Sequence, residues 1–153
     1  PMRHDLETEA KALCISDRTR FLGFINQSGL PSVYCGSDLL VLPSEYEPFG
    51  VVVNEMMLCG HGAIVSDRVG ARFDLIREGE TGFVFPCGNI DALAKLLRDT
   101  LSNREDLRRY GEAAKRRVME WSPENYGQGL IEAVRLAIHR RNVSTLPDYS
   151  IRA

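Results

Sequence analysis

The sequence lacks the features that mark nucleic-acid-binding and membrane-spanning proteins. Its 19 basic and 21 acidic residues give a net charge of −2, and no segment concentrates Lys and Arg beside aromatic residues, which excludes a nucleic-acid partner. No apolar run reaches the roughly eighteen residues that a transmembrane segment needs, and no charged-then-apolar signal segment opens the chain. We therefore expect this segment to be cytoplasmic, with peripheral membrane association left open for a full-length parent.

Several motifs of nucleotide-binding and metal-binding proteins are also missing. The sequence contains no Gly-x-Gly-x-x-Gly, no Gly-Lys-Ser/Thr, no Cys-x-x-Cys and no Asp-x-Asp, which excludes dinucleotide domains, Walker loops and zinc or redox pairs. We accordingly expect a site without a metal and without a cofactor. The four cysteines lie far apart and mostly in apolar runs, so we expect buried thiols in a reducing compartment; they are Cys14, Cys35, Cys59 and Cys87.

What the sequence does contain is an alternation of helical and extended patterns. Apolar spacing predicts helices over residues 5–16, 30–37, 90–101, 104–120 and 123–140, a helix opening at Gly50, and a helical turn over 74–77. The helices that begin at 90, 104 and 123 follow the expected caps Asn89, Asn103 and Ser122. Short apolar runs predict strands over residues 19–25, 38–42, 63–66 and 82–86. This alternation predicts an α/β fold with a Rossmann-like, mostly parallel sheet and flanking helices.

The domain organisation follows from length and pattern. With 153 residues, 44% of them apolar, the chain can bury one core. We expect residues 1–140 to form one partial domain and residues 141–153, which show no periodicity, to be a C-terminal tail. Because Pro1 leads almost directly into a helical pattern, we expect an internal fragment of a longer protein.

The richest segment for chemistry runs from Pro43 to Glu55. It combines a strand end, a loop and a helix start, and in open parallel sheets ligands bind beyond the carboxyl ends of the strands. The amides around Gly50, Val51 and Val52 have no acceptor within the helix, and the helix dipole adds positive charge there, so a diphosphate would suit both. Gly50, having no Cβ, would let the ligand approach the backbone closely.

Two glutamates flank this helix start. Glu55 lies four residues after Val51, on the same helix face and about 6 Å along the axis, the separation of a diphosphate from its ribose. A carboxylate accepts two hydroxyl hydrogen bonds at once, which suits a ribose diol. Glu47 could accept from sugar hydroxyls on the other side of the diphosphate. Alternatively, both glutamates are surface charges, since Glu is an abundant residue.

This segment resembles the signature of the family 4 retaining glycosyltransferases, two-Rossmann-domain (GT-B) enzymes that include glycogen and sucrose-phosphate synthases. Their Glu-x7-Glu pair around Phe-Gly stands here as Glu47 and Glu55. Residues 66–70, 74–76 and 79–86 are similar to the next blocks of the family, and residues 21–24 to an upstream block. The resemblance covers residues 1–140 and makes the chain similar to the donor-binding half of GT-B enzymes, without its first strand-helix units.

The resemblance also implies roles for individual residues. Glu47 would be the catalytic residue that holds hydroxyls of the donor hexose, Glu55 would bind the ribose, and Phe24 and Ile25 would border the base. The complete substrate-binding set implied is Glu47, Pro48, Phe49, Gly50, Val51, Val52, Glu55 and Gly70. Two positions depart from the family pattern: Ala71 follows Gly70 where many relatives have a second glycine, and Gly62 stands where a proline often begins the next strand.

The function implied is transfer of a hexose, with retention, from a nucleotide-diphosphate sugar to a hydroxyl of a carbohydrate, lipid or small-molecule acceptor. The family's cationic residues for the leaving diphosphate and its acceptor domain would lie upstream, so we expect this chain alone to be inactive. A nucleotide-sugar epimerase would need His and Asp residues that find no place here. A non-catalytic module that binds a nucleotide sugar or another phospho-ligand stays open as the alternative.

Overall fold

Three short parallel strands form the centre of the molecule, whose computed structural model describes residues 2–143. They lie side by side in the order β1 (Leu39–Leu42), β2 (Gly62–Ser66), β3 (Gly82–Phe85). Leu39 pairs with Gly62 and Ala63 pairs with Gly82. The prediction of an α/β fold with a parallel sheet is confirmed, and all three strands carry their following loops at one edge.

Within the described range the chain forms six α-helices, and three of them begin behind the predicted capping residue. The Ser122 side chain accepts a hydrogen bond from the Asn125 amide at 3.2 Å. The Asn89 side chain accepts a hydrogen bond from the Ala92 amide, and the Asn103 side chain accepts one from the Glu105 amide, both at 3.0 Å. These caps satisfy amides that the first helical turn leaves free. The helices are α1 (Arg3–Ala12), α2 (Leu30–Cys35), α3 (Val51–Leu58), α4 (Ile90–Leu101), α5 (Arg104–Met119) and α6 (Pro123–Val143).

The core fixes the position of α3, the helix that begins at Gly50. Its buried residues Val53, Met56 and Met57 follow the spacing of one helix face. Val53 and Met57 pack with Ala63 and Val65, alternate residues of β2, and with residues of α5. Burial of a side chain as large as Met57 contributes about 1.5–3 kcal/mol, so the first turn of α3 is held rigidly at the carboxyl edge of the sheet.

The strand predicted over residues 19–25 is wrong. Residues 19–25 form no regular element, Gly23 adopts a left-handed conformation at φ +69°, and the Phe24 side chain is 95% exposed. Within residues 2–143, no strand lies beside this segment to accept its backbone hydrogen bonds. An extended segment without a partner strand gains no hydrogen bonds from β geometry, so its apolar pattern alone does not make it a strand.

The helical turn predicted over residues 74–77 is displaced. A 3₁₀ turn occupies Gly70–Arg72 instead, and irregular turns continue to Leu75. The amides of Gly70 and Ala71 donate to carbonyls of the loop that follows β1. These tertiary hydrogen bonds start the turn earlier along the chain than the local sequence indicates.

The predicted tail begins inside a helix. Residues 141–143 belong to α6, because this helix continues past the predicted end at 140. Residues 144–153 lie outside the described part of the chain, so the prediction for them stays untested.

The prediction of four buried cysteines is also wrong. Cys14 and Cys35 are exposed, and Cys59 and Cys87 are half-buried. Their apolar neighbours indicated a core position, but each cysteine lies in a loop or at a helix end. Cys35 is the last residue of α2, and Cys59 directly follows α3. Helix ends come to the surface because their unpaired carbonyls need water or a cap.

Candidate functional site

Two loops at the carboxyl edge of the sheet are joined by backbone hydrogen bonds. One loop follows β1 and the other follows β2. The Glu47 amide donates to the Arg68 carbonyl at 3.2 Å, and the Gly70 amide donates to the Glu47 carbonyl at 2.9 Å. The Ala71 amide donates to the Phe49 carbonyl at 2.6 Å. These bonds hold the loop that carries Glu47 in one position relative to the sheet.

Gly70 makes this close approach of the two loops possible. A Cβ at this position would lie 1.9 Å from the Pro48 carbonyl oxygen and 3.1 Å from the Phe49 Cα. Any side chain here would therefore push the loops apart. The sequence prediction set Gly70 near the donor site through the family resemblance, and the structure brings it against Pro48 and Phe49.

Gly50 begins α3 in a left-handed conformation, at φ +99° and ψ +62°. A Cβ here would lie 3.0 Å from Val69 Cγ1, and Gly50 itself is buried. Backbone conformation and packing therefore both require a residue without a side chain here, and the approach of a ligand to Gly50 stays a prediction.

The first turn of α3 offers unused hydrogen-bond donors. The Val53 amide donates to the Gly50 carbonyl at 2.9 Å. None of the hydrogen bonds found among residues 2–143 uses the amides of Gly50, Val51 or Val52. Together with the positive end of the helix dipole, such amides attract an anion.

The Glu47 side chain folds back onto its own loop. Glu47 is half-buried, and one carboxylate oxygen, Oε1, accepts a hydrogen bond from the Phe49 amide at 3.4 Å. A bond of this length is weak. The carboxylate is thus held beside the start of α3, but it can give up the Phe49 amide for another hydrogen-bond donor at a small cost in free energy.

Glu55 lines a cavity between α2 and α3. The volume of this cavity is about 280 Å³. One carboxylate oxygen, Oε2, accepts a hydrogen bond from the Tyr34 hydroxyl at 2.9 Å. The second oxygen, Oε1, is not used in any hydrogen bond found among residues 2–143. The other lining residues are Gln27, Leu30, Pro31, Leu58 and Cys59.

Tyr34 is a site residue that the sequence analysis missed. Burial raises the pKa of its phenol above the ordinary value, and the hydrogen bond to Glu55 and the negative charge of that carboxylate raise it further. The hydroxyl therefore keeps its proton at neutral pH and stays a donor. The available signal was a tyrosine on the helix before β1, but only the packing of α2 on α3 shows that it meets Glu55.

The remaining predicted site residues lie at the start of α3 or on the segment before α2. Phe49 and Val52 are half-buried, whereas Val51 and Pro48 are exposed at the same turn. Exposed Phe24 and half-buried Ile25 lie on the irregular segment before α2. That segment continues to Gln27, which lines the Glu55 cavity.

Comparison with known proteins decides the family. A family described as "Glycosyl transferases group 1" matches residues 1–117. The chain belongs to this family. Among curated relatives of this group 1 glycosyltransferase chain is the N-acetyl-alpha-D-glucosaminyl L-malate synthase of Bacillus anthracis. The two are 37% identical over 110 residues, which is 72% of this chain and 28% of that relative.

Solved structures of glycosyltransferases share the fold. Sucrose-phosphate synthase from Thermosynechococcus elongatus superposes with a TM-score of 0.74 at 31% identity, over 89% of this chain and 35% of that one. Anabaena HepE, solved in complex with UDP and glucose, superposes with a TM-score of 0.74 at 25% identity, over 86% of this chain and 36% of that one. The structural neighbours are GT-B glycosyltransferases.

The group 1 chain spans only part of these proteins, from 28% to 36% of their lengths. No helix among residues 2–143 has the length and hydropathy needed to cross a bilayer.

Proposed function

We propose that this chain is the donor-binding part of a retaining, family 4 glycosyltransferase. The complete protein transfers a hexose from a nucleotide-diphosphate sugar to an acceptor hydroxyl. One observation carries the proposal: unused amides at the start of α3 lie between two glutamates, Glu47 on the loop before the helix and Glu55 one turn into it. An anionic diphosphate with a sugar on each side matches this order of charges.

The nucleoside diphosphate is assigned to α3 and its cavity. The amides of Gly50, Val51 and Val52 donate to the diphosphate. Glu55, about 6 Å further along the helix, accepts from the ribose hydroxyls through Oε1, the carboxylate oxygen that Tyr34 does not use. Phe24 and Ile25 border the base.

Glu47 is assigned to the hexose and to catalysis. On donor binding its carboxylate exchanges the weak bond to the Phe49 amide for the sugar hydroxyls. Its negative charge then stabilises the positive charge that develops on the sugar as the diphosphate leaves. Pro48 and Gly70 shape the same loop junction, and the retained configuration follows from attack on the face from which the nucleotide departs.

The relatives support this assignment and its limits. HepE of Anabaena has been solved with UDP and glucose, which supports a nucleotide-sugar donor here. The absence of Asp-x-Asp from the sequence supports a metal-independent site without a cofactor. We also propose that the 153-residue chain binds the donor weakly and does not catalyse transfer, because its relatives are about three times longer.

The test is donor binding followed by transfer. We expect saturation-transfer NMR of the chain to show contacts to ribose and hexose protons of one of UDP-, GDP- or ADP-glucose, with no change on addition of EDTA. In the full-length parent, the anomeric coupling of the product measures retention. If the chain bound none of the three nucleotide sugars, the proposal would be wrong. If the product of the full-length parent had the inverted anomeric configuration, the retaining part of the proposal would be wrong.

Replacing Tyr34 with phenylalanine is expected to weaken donor binding about 5-fold. The phenylalanine ring still lines the cavity, but no hydroxyl holds the Glu55 side chain in place before the donor binds. Glu55 must then lose side-chain freedom on binding, which costs about 1 kcal/mol. Isothermal titration with the preferred nucleotide diphosphate measures the change in Kd. Tyr126→Phe on the exposed surface of α6 is the matched control and should bind as the unmodified chain does; equal affinities for both variants would contradict the role of Tyr34.

A further inference from the structure

The second feature of the α2–α3 contact is a pair of cysteine thiols. Cys35 Sγ and Cys59 Sγ are 3.1 Å apart and share a hydrogen bond, although 24 positions separate them in sequence. Cys35 ends α2 and Cys59 caps α3, so the pair joins the carboxyl ends of two helices that pack together. The sulfur atoms of a disulfide lie about 2 Å apart, so each sulfur needs to move by only about half an ångström.

We propose that Cys35 and Cys59 are a redox-active thiol pair that a low-molecular-weight disulfide converts to an intramolecular disulfide. Cys59 also lines the cavity of Glu55, but the proposal rests on the two thiols alone and does not depend on the proposed function.

The exposure of the two thiols sets the order of the steps. Cys35 is exposed, whereas Cys59 is half-buried, so Cys35 is the sulfur that a soluble oxidant reaches. The hydrogen bond between the two thiols is the largest cause that raises the pKa of the Cys59 thiol above its ordinary value, and burial raises this pKa further. The charge of Glu55 acts in the same direction and that of Lys115 opposes it. Cys59 therefore keeps its proton while Cys35 reacts.

Two exchange steps close the bond. The Cys35 thiolate attacks one sulfur of oxidised glutathione, forms a mixed disulfide and releases one glutathione thiolate. Cys59 then loses its proton to solvent and attacks Cys35 Sγ, which releases the second glutathione thiolate. The two protein thiols lose two electrons and two protons, and the glutathione disulfide is reduced to two glutathione thiols. Attack by a neighbour already in contact outcompetes a second glutathione.

The two other cysteines provide the control. Cys14 follows α1, and Cys87 lies after β3 with its sulfur 3.9 Å from the Ser44 carbonyl. A Cys14→Ser, Cys87→Ser double variant keeps the proposed pair and removes every alternative partner. Because neither replaced residue touches the pair, this variant should oxidise as the unmodified chain does.

The experiment equilibrates the reduced chain in glutathione buffers, traps free thiols with N-ethylmaleimide and measures intact mass. In the double variant we expect a species without maleimide that is two hydrogens lighter than the reduced variant. In the unmodified chain we expect a species that carries two maleimides, on Cys14 and Cys87, and lacks the same two hydrogens. Trypsin leaves Cys35 and Cys59 in one peptide, since no Lys or Arg lies between Arg20 and Arg68. A glutamyl endopeptidase separates them by cutting after Glu45 or Glu55, and not after Glu47, which precedes Pro48, so a cross-linked peptide pair identifies the bond.

The same oxidation in denaturant tests whether the fold selects this pair. We expect the disulfide of the folded chain to resist at least about tenfold more reduced glutathione than that of the denatured double variant, because the fold holds the thiols together. Maleimide labelling of both thiols in a fully oxidising buffer would overturn the proposal, as would stable glutathione adducts or cross-links to Cys14 or Cys87. The readout needs no sugar donor, so its failure would leave the proposed function untouched.

Discussion

Glu55→Ala is expected to weaken nucleotide-diphosphate binding about 100-fold. The variant loses two hydrogen bonds from ribose hydroxyls to a charged acceptor, each worth about 1.5–3 kcal/mol, and about 3 kcal/mol corresponds to roughly 100-fold in Kd. It also leaves the Tyr34 hydroxyl in the cavity without its partner. Isothermal titration with the preferred nucleotide diphosphate, or ligand-observed NMR where binding is weak, measures the loss.

Glu80→Ala is the matched control for this prediction. Glu80 is exposed in the turn before β3, at the opposite edge of the sheet from the start of α3. We expect this variant to bind the nucleotide diphosphate as tightly as the unmodified chain does. Glu55→Gln should have an affinity between those of Glu55→Ala and the unmodified chain, because an amide keeps an acceptor oxygen but loses the charge. Unchanged affinity in Glu55→Ala would take Glu55 out of the site.

Gly70→Ala is expected to lower the melting temperature by about 4–8 °C and to abolish measurable donor binding. The new Cβ would lie 1.9 Å from the Pro48 carbonyl oxygen, so the two loops must separate. Overpacking of this kind costs about 1–3 kcal/mol, and for a chain of this size each kcal/mol lowers the melting temperature by about 2–4 °C. Calorimetry and nucleotide titration of the same sample measure both effects.

The control for this clash is a glycine with open space around it. A Cβ on Gly127, within α6, meets no atom within 4 Å, and alanine is favoured over glycine in a helix by about 0.5–1 kcal/mol. Gly127→Ala is therefore expected to melt at or slightly above the temperature of the unmodified chain. If Gly70→Ala melted like Gly127→Ala, the loops would not be packed as described.

Sequence reasoning worked best where the signal was local. The Asn89 and Asn103 caps mark helix starts that the structure reproduces, because a cap depends only on residues within one turn. The apolar run of β2 and the helix that follows Gly50 were also predicted, since buried strands and helices have different apolar spacing. These elements bring Glu47 and Glu55 to the same region of the fold.

Predictions failed where distant residues decided the outcome. Gly23 and the lack of an adjacent strand among residues 2–143 leave the segment around Phe24 irregular. Tyr34 was missed because its partner lies 21 positions away, and the Cys35 thiol was placed in the core because its sequence neighbours are apolar. In each case the deciding contact joins elements whose relative position no local pattern specifies.

The sequence by itself determined the α/β alternation, the helix starts and the glutamate pair around Phe49 and Gly50, since each depends on short-range spacing and backbone chemistry. Tertiary structure alone decided that Gly70 is packed against Pro48, that Tyr34 donates to Glu55 and that Cys35 meets Cys59. These contacts arise when α2, α3 and the two loops pack around β1 and β2. Packing adds this information because burial of the shared core, and not any single segment, fixes the separation between elements.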